Sequence, residues 1–437
     1  MSEVFSELGK IQADFNTFRL RDVLTLSDSG VWGDELEPNT DGTKVIRSTN
    51  FTNTGELDLS DVAVRKIAKD KALEKKLLNG DILIERSGGS DTQPVGRVAF
   101  SDFEIEKSDY AFANFIQRIR FNNEVDPRFV FYCLLQMHQM GATESIQNQT
   151  TGIRNLDLKS YLRVELPKPE KNEQVRISSL LSQVDNVIQK TKDSIAQAQQ
   201  LKKALMQHLL SGRLKPDGTW RKPDEFYVDE KFGRVPKGWN YLRLRDVLNS
   251  QLVYGANTSA IPYSKDFPRF IRITDIDDAG NLLEDTKVSL DPEIAKSYML
   301  EENDFLFART GNSVGRTFLY KNAYGPSAFA GYLVRAKLNQ SLILPEYLNN
   351  LCLSQYFDSF KVSMARVGAK PNINAREFSN FRFMLPERID EQDQIAKSIY
   401  QFTFLIEAKT RKINYLIKIK KSLMQNLLTG KIRVQAE

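Results

Sequence analysis

The hexapeptide RLRDVL occurs twice in this chain, at Arg19–Leu24 and at Arg243–Leu248. From each copy onward the two halves keep step. VIRSTNFTNTGELD (Val45–Asp58) is answered by FIRITDIDDAGNLLE (Phe270–Glu284). LLNGDILIERSGGS, with the VGRVAF after it, is answered by LEENDFLFARTGNSVGRTFLY, and YAFANFIQRIRFN by AFAGYLVRAKLN. Internal repetition on this scale constrains the fold more than any composition figure, because whatever the first half builds the second must build again. Cys133 and Cys352 also fall at matching places, each followed by Leu, which suits small buried core residues.

Each half closes on a long helical pattern, Asn172–Lys215 and Asp390–Val434, and the two align without a gap from Glu173 on Glu391 to Gly212 on Gly430. Either glycine is suited to end a helix in the left-handed conformation. Val184, Ile188, Thr191, Ile195, Ala198, Lys202, Leu205 and Leu209 follow one another in alternating steps of four and three, the spacing of a coiled-coil seam. The second copy places Phe402, Ile406, Lys409, Ile413, Leu416, Lys420, Leu423 and Leu427 at the same positions. Lysine interrupts the seam at the same point in both copies, and Leu201 and Ile419 stand beside it to supply apolar surface. A helix of about 38 residues spans roughly 57 Å and does not bury such a stripe alone. The two copies are expected to pack on one another; the alternative is that each lies on its own domain.

The intervening stretch Pro216–Trp239 is rich in Pro, Gly and charge and reads as a connecting loop. Within each half, DILIER and RVAF, and then DFLFAR and RTFLYK, suit short strands. DPRFVFYCLLQMHQM and PEYLNNLCLSQYFDSF suit amphipathic helices opened by a proline. The fold class expected is therefore mixed α/β. A first globular domain is expected over 1–170, a long helix over 171–212, a linker over 213–238, a second globular domain over 239–388 and a second long helix over 389–437.

Two loops recur. One follows the DILI or DFLF strand (Arg86, Ser87, Gly88; Arg309, Thr310, Asn312). The other precedes the last strand of the half (Gln149, Thr151, Arg154; Arg366, Lys370, Asn372). Glycine admits a phosphate close to the backbone, and arginine forks onto phosphate or guanine, so these residues are the candidates for nucleic-acid contact. Arg47 and Arg272, in the matching VIR and FIR stretches, are weaker candidates for phosphates. The net charge of +5 is compatible with such a partner without requiring it.

The usual signs of catalysis are absent. His138 and His208 are the only histidines, and neither has a nucleophile at a suggestive spacing. No phosphate-binding G-x-x-x-x-G-K-[ST] loop, zinc-spaced Cys/His cluster or aminomethyltransferase tetrad occurs, and Glu74-Lys75-Lys76 lacks the acidic partner that a nuclease would require. Two cysteines make no disulfide framework, and no apolar run approaches a membrane span, so the expected home is a reducing cytoplasm.

In order, spacing and duplication, these stretches resemble the specificity subunit of type I restriction–modification systems. The resemblance rests on NGDIL…RSGG…VGR, on LPKPEKNEQVRISSLLSQVDNVI and LKKALMQHLLSGRL, and on their second-copy equivalents LPERIDEQDQIAKSI and IKKSLMQNLLTGKI. It implies two target-recognition domains, each reading one part of a bipartite duplex DNA site. The two helices would pack as an antiparallel coiled coil that sets the spacing and docks two modification subunits. It also implies no catalysis and no cofactor on this chain, with S-adenosylmethionine, ATP and Mg carried by modification and restriction subunits. The alternative is a two-domain coiled-coil adaptor that binds proteins and reads no DNA.

Overall fold

The strands Ile82–Glu85 and Phe305–Ala308, apolar but for Glu85, are buried at every position, as a strand covered on both faces requires. Each is a central strand of an antiparallel four-stranded sheet. In the first half the order is Leu24–Ser29, Ile116–Phe121, Ile82–Glu85, Val98–Phe100; in the second it is Val253–Tyr254, Leu333–Ala336, Phe305–Ala308, Thr317–Leu319. The computed structural model describes residues 4–12, 15–37, 40–89, 94–107, 109–150, 153–230, 233–364 and 371–434. A second sheet adjoins each of these, three-stranded in the first half and four-stranded in the second, with one parallel pairing that matches: Ala111 on Val45 and Phe112 on Ile46, and Phe270 on Ala328. The RLRDVL copies each end the strand that pairs with the last strand of their half, Asn16–Arg19 with Glu165–Lys168 and Trp239–Arg243 with Arg382–Pro386. Within each copy a short 3₁₀ turn follows, its Leu and Val buried and its Arg and Asp exposed.

The recurrent motifs have plain structural work. Asp81 and Asp304 close the turn before the central strand by accepting from the N–H of Leu78 and Glu301 (2.8 and 2.9 Å). The residue before each, Gly80 or Asn303, has positive φ (91° and 70°). The arginine of each VGR is a clamp. Arg97 is buried against Glu85 (2.7 Å) and donates to the carbonyls of Phe51 and Ser48. Arg316 donates to Asp278 (2.7 Å) and to the carbonyl of Ile276. The second half has Ala308 where the first has Glu85, and its carboxylate comes from the loop instead.

Chain order and compactness divide differently. One compact unit is Met1–Lys192 with Arg411–Glu437, the other Asp193–Thr410. The long helices, Lys171–Leu210 and Ile389–Leu427, are therefore shared out: each unit takes the first half of its own helix and the last half of the other. In the first unit Ile177 and Leu181 join Met424, Leu427 and Leu428 in the core built on the helix Pro127–Gln139. In the second, Ile395 and Ile399 join Met206, Leu209 and Leu210 on the core around Tyr347, Leu351 and Cys352. Each half-helix thus packs on a domain and on the other helix at once, so the two alternatives left open by the sequence are both realised. The pairing is antiparallel: Glu173 meets Arg433 and Asp185 meets Lys420, partners descending as positions ascend.

The twelve apolar seam residues expected from the spacing are all buried or half-buried. Ile188, Ala198, Leu209 and Leu427 are the most enclosed, and Val184, Ile195, Leu205, Phe402, Ile406, Ile413, Leu416 and Leu423 are partly covered. Leu201 departs from expectation. It is 55% exposed, because a residue adjacent to a seam position lies about 100° around the helix. The linker is also more ordered than a loop. Leu214 bridges Trp220, and Phe226–Asp229 pairs antiparallel with Gly233–Pro236. Arg221 ties it down by pairing with Glu391 and stacking over Trp239. The segment expected as one helix from Pro345 breaks at Leu353–Ser354 into Pro345–Cys352 and Gln355–Met364, where the Ser354 hydroxyl takes up the Leu351 carbonyl (2.6 Å). Among the described residues no helix is long and apolar enough to cross a membrane.

Candidate nucleic-acid interface

The two recurrent loops, separated by some sixty residues in each half, meet at the far end of the central strand. In the first unit Ser87–Gly89 becomes an edge strand paired with Ile153–Leu156, Asn155 opposite Ser87 and Arg154 opposite Gly89, and the hairpin partner Gln147–Thr150 completes a three-stranded sheet. In the second unit the same meeting is made by single contacts. Thr310 bridges Asn372, Gly311 donates to the Pro371 carbonyl (3.0 Å), and Ile373 donates to that of Arg309 (2.8 Å). Gly88 and Gly311 face open space, with nothing near where a β-carbon would stand. Gly88 and Asn312 are exposed, Asn372 likewise, and Arg86, Ser87, Arg154, Arg309 and Thr310 are half-buried.

The leading arginine is held differently in each half. Arg86 donates through Nη1 to Gln117 Oε1 (3.3 Å), and Gln117 is fixed in turn by donating to Ser27 Oγ (2.8 Å). Arg309 lies over the ring of Tyr254, 4.8 Å from its centroid, and donates through Nη2 to Asn372 Oδ1 (3.4 Å). The Tyr254 hydroxyl accepts from the Ala375 N–H (3.0 Å), which locks the platform. In both arginines Nε is buried without a hydrogen bond. Each clamp uses one Nη, so the donors left for a partner are the remaining Nη N–H groups and not the enclosed Nε.

The chain matches the family model described as the type I restriction modification DNA specificity domain, twice, over residues 12–200 and 236–418. It belongs to the type I restriction–modification DNA specificity family. Among its relatives is the type I restriction enzyme MjaVIII specificity subunit of Methanocaldococcus jannaschii, 25% identical over 323 residues and covering 72% of each chain. Another from that organism is the putative MjaX specificity subunit, 22% identical over 442 residues, covering 98% of this chain and 96% of its own. Of solved structures, the type I system S subunit from M. genitalium aligns over 97% of this chain and 99% of its own, at 14% identity and a TM-score of 0.58. A chain from a study of assembly and conformational transition of a type I R-M system aligns at 0.55, with 15% identity, over 97% of this chain and all of its own. The two matched segments of this specificity subunit contain the two paired-loop edges, one in each.

Not every candidate belongs to those edges. Arg47 donates to Asp61 (2.6 Å), and Arg272 forks onto the buried Asp275 (3.0 and 2.8 Å) and the Thr286 carbonyl. Both arginines brace equivalent 3₁₀ turns, and Asp275 raises the pKa of Arg272 through its hydrogen bonds. Thr151, Arg366 and Lys370 lie outside the described residues, and for Gln149 only the backbone is described. Gln117 and Tyr254 are not among the residues the sequence points to. They lie on strands whose sequences carry no loop signal, and only the sheet register brings each to its arginine. The histidines fill structural places: His138 meets Thr143 Oγ1 (3.3 Å) with its pKa lowered by burial, and His208 packs edge-on to Trp220. Glu74 and Lys75 form ion pairs within the first unit, and no group of three or more His, Cys, Asp or Glu among the described residues is placed to hold a metal.

Proposed function

We propose that each unit reads one half of a bipartite duplex DNA site, through the edge at Arg86, Ser87, Gly88 and Arg154 in the first and at Arg309, Thr310, Asn312 and Asn372 in the second. The observation that carries the reading is the convergence, in both halves, of an arginine with spare donors, an open glycine and a second polar loop on one edge. Arginine presented this way forks onto guanine O6 and N7 or onto a phosphate. The different clamps on Arg86 and Arg309 support different base preferences in the two half-sites.

The long helices carry the spacing in this reading. Each of about 40 residues spans roughly 60 Å, more than one turn of duplex. Two modification subunits would dock on them, supplying S-adenosylmethionine and methylating adenine, and restriction subunits would bring ATP and Mg. This chain recognises and does not catalyse, and the system works in the cytoplasm.

Mapping methylated adenines genome-wide, in cells carrying this chain and a modification partner, tests the reading. A two-part motif with a fixed unread gap is the expected result, and a four-residue insertion in each long helix should lengthen that gap. Duplex binding by the purified chain should also weaken steeply with salt, as phosphate contacts release counterions. Salt-indifferent binding with no methylated motif would favour the protein-binding adaptor instead.

A further inference from the structure

In each unit, a large aromatic side chain next to the paired-loop edge stands in solvent between buried neighbours. Phe115 is 58% exposed and Tyr332 59%, whereas Phe112, Ile116, Phe329 and Leu333 are buried. The two positions are equivalent. Each lies in the turn that leaves the adjoining sheet and enters the one built on the buried central strand, just before Ile116–Phe121 or Leu333–Ala336. Each also sits against its leading arginine: the Arg86 N–H donates to the Phe115 carbonyl (2.9 Å) and the Arg309 N–H to that of Tyr332 (3.0 Å).

The turn itself is fixed. Ala113 and Ala330 donate back to Ile46 and Ile271 (2.8 and 2.9 Å), Ile116 donates to Ala113 (3.0 Å), and Leu333 to Ala330 (2.8 Å). A glycine directly follows the neighbouring strand, Leu24–Ser29 or Val253–Tyr254, in both halves because nothing larger fits. A β-carbon on Gly30 would lie 1.9 Å from the Phe112 carbonyl oxygen, and one on Gly255 2.3 Å from that of Phe329. A single exposed apolar residue on a surface is ordinary. An aromatic held in solvent by a rigid turn, at the same place in two diverged halves and bonded to the arginine of the reading edge, calls for a partner. Such a ring loses little conformational entropy on contact, having two side-chain torsions on a backbone already fixed.

Resting on the reading proposed above, we infer that Phe115 and Tyr332 are base-contacting residues, each laying its ring on base edges beside the base engaged by Arg86 or Arg309. A phenyl ring in the major groove packs against a thymine methyl, a contact that a cytosine or a purine does not offer. Tyr332 adds a hydroxyl to the same apolar surface, so the two halves differ in chemistry here too.

The test uses the full-length chain and its Phe115→Ala, Phe115→Leu, Tyr332→Ala and Tyr332→Phe variants, each selecting duplexes from a random-sequence pool. Circular dichroism and melting first establish that the variants remain folded, as expected for side chains this exposed. The wild type should return a two-part consensus. Phe115→Ala should broaden one or two positions of one half, lowering base preference there roughly tenfold, and leave the other half intact; Tyr332→Ala should do the converse. The Leu and Phe replacements should retain most of that preference. Wild-type consensus and affinity in both alanine variants would overturn the inference, as would a uniform loss with the consensus unchanged, which marks a backbone contact. If the wild type itself yields no consensus, the DNA-reading proposal fails first.

Discussion

The seam lysines of the two units occupy equivalent positions and meet different surroundings. Lys420 in the first unit is buried, bonds Asp185 (2.6 Å) and lies over the ring of Tyr132, whose hydroxyl donates to the same Asp185 (2.8 Å). At the places of Asp185 and Tyr132 the second copy has Thr403 and Leu351. Lys202 is accordingly half-buried, and burial pushes its ammonium below the usual lysine range against the opposing pull of Glu407. The paired-loop edges diverge in the same manner, Gln117 steadying Arg86 where Tyr254 supports Arg309. Duplication has preserved the sheets and helix cores while partners around individual charges have drifted, since apolar packing tolerates exchange of similar volumes and a charge depends on one specific neighbour.

The sharpest way to break this comparison is to remove Asp185. Asp185→Ala leaves Lys420 buried without its carboxylate and should cost about 3 kcal/mol in denaturant unfolding, whereas Thr403→Ala in the second unit should cost under about 0.5 kcal/mol. Equal losses would mean that the lysines are not differently solvated after all. Next in size are the arginines proposed to read DNA. Arg309→Ala should lose about 1–3 kcal/mol of binding confined to one half-site, and Arg86→Ala the same in the other, as read by competition between duplexes altered in one half. A loss spread evenly over unrelated duplexes would assign either residue to phosphates.

A third prediction concerns pH. Glu173 is held below the usual carboxylate range by hydrogen bonds from Arg433 and, beyond the opposing effect of burial, from the Val434 N–H. A depressed folded-state value means that stability is present above the unfolded pKa and is lost as pH falls below about 4.3 toward the folded one. Glu173→Gln should therefore lower stability by about 1 kcal/mol at neutral pH, with the gap to wild type closing as the solution is acidified; a gap independent of pH would assign the effect to packing. The smallest expected effect sharpens the contrast between the edges. Tyr254→Ala should weaken the half-site read by Arg309 by about 0.5–1 kcal/mol and leave the Arg86 half-site unmoved.

Much of this was legible without coordinates. The repeat, the two long helical segments starting near 171 and 389, the seam residues and the recurrence of two loops in each half all follow from period, punctuation and internal alignment; that the two loops meet does not. The functions of individual arginines were less legible. Arg47, Arg97, Arg272 and Arg316 resemble Arg86 and Arg309 in composition of surroundings, yet four brace turns and two reach an open edge. The carboxylate that claims a guanidinium lies as near as Asp275 to Arg272 or as far as Asp278 to Arg316, and spacing alone does not distinguish them.

By itself the sequence determined that this protein is built twice, that each copy is a mixed sheet-and-helix half with a long amphipathic helix, and which stripe of that helix is covered. Periodicity does this because hydrophobic burial is collective and repeats with the geometry of the backbone. Only the tertiary structure decided that each compact unit borrows the end of the other copy's helix, that Gln117 and Tyr254 steady Arg86 and Arg309, and that Phe115 and Tyr332 stand outward beside them. Those outcomes depend on single contacts between residues far apart in the chain, which strand register and helix packing bring together and no local pattern records.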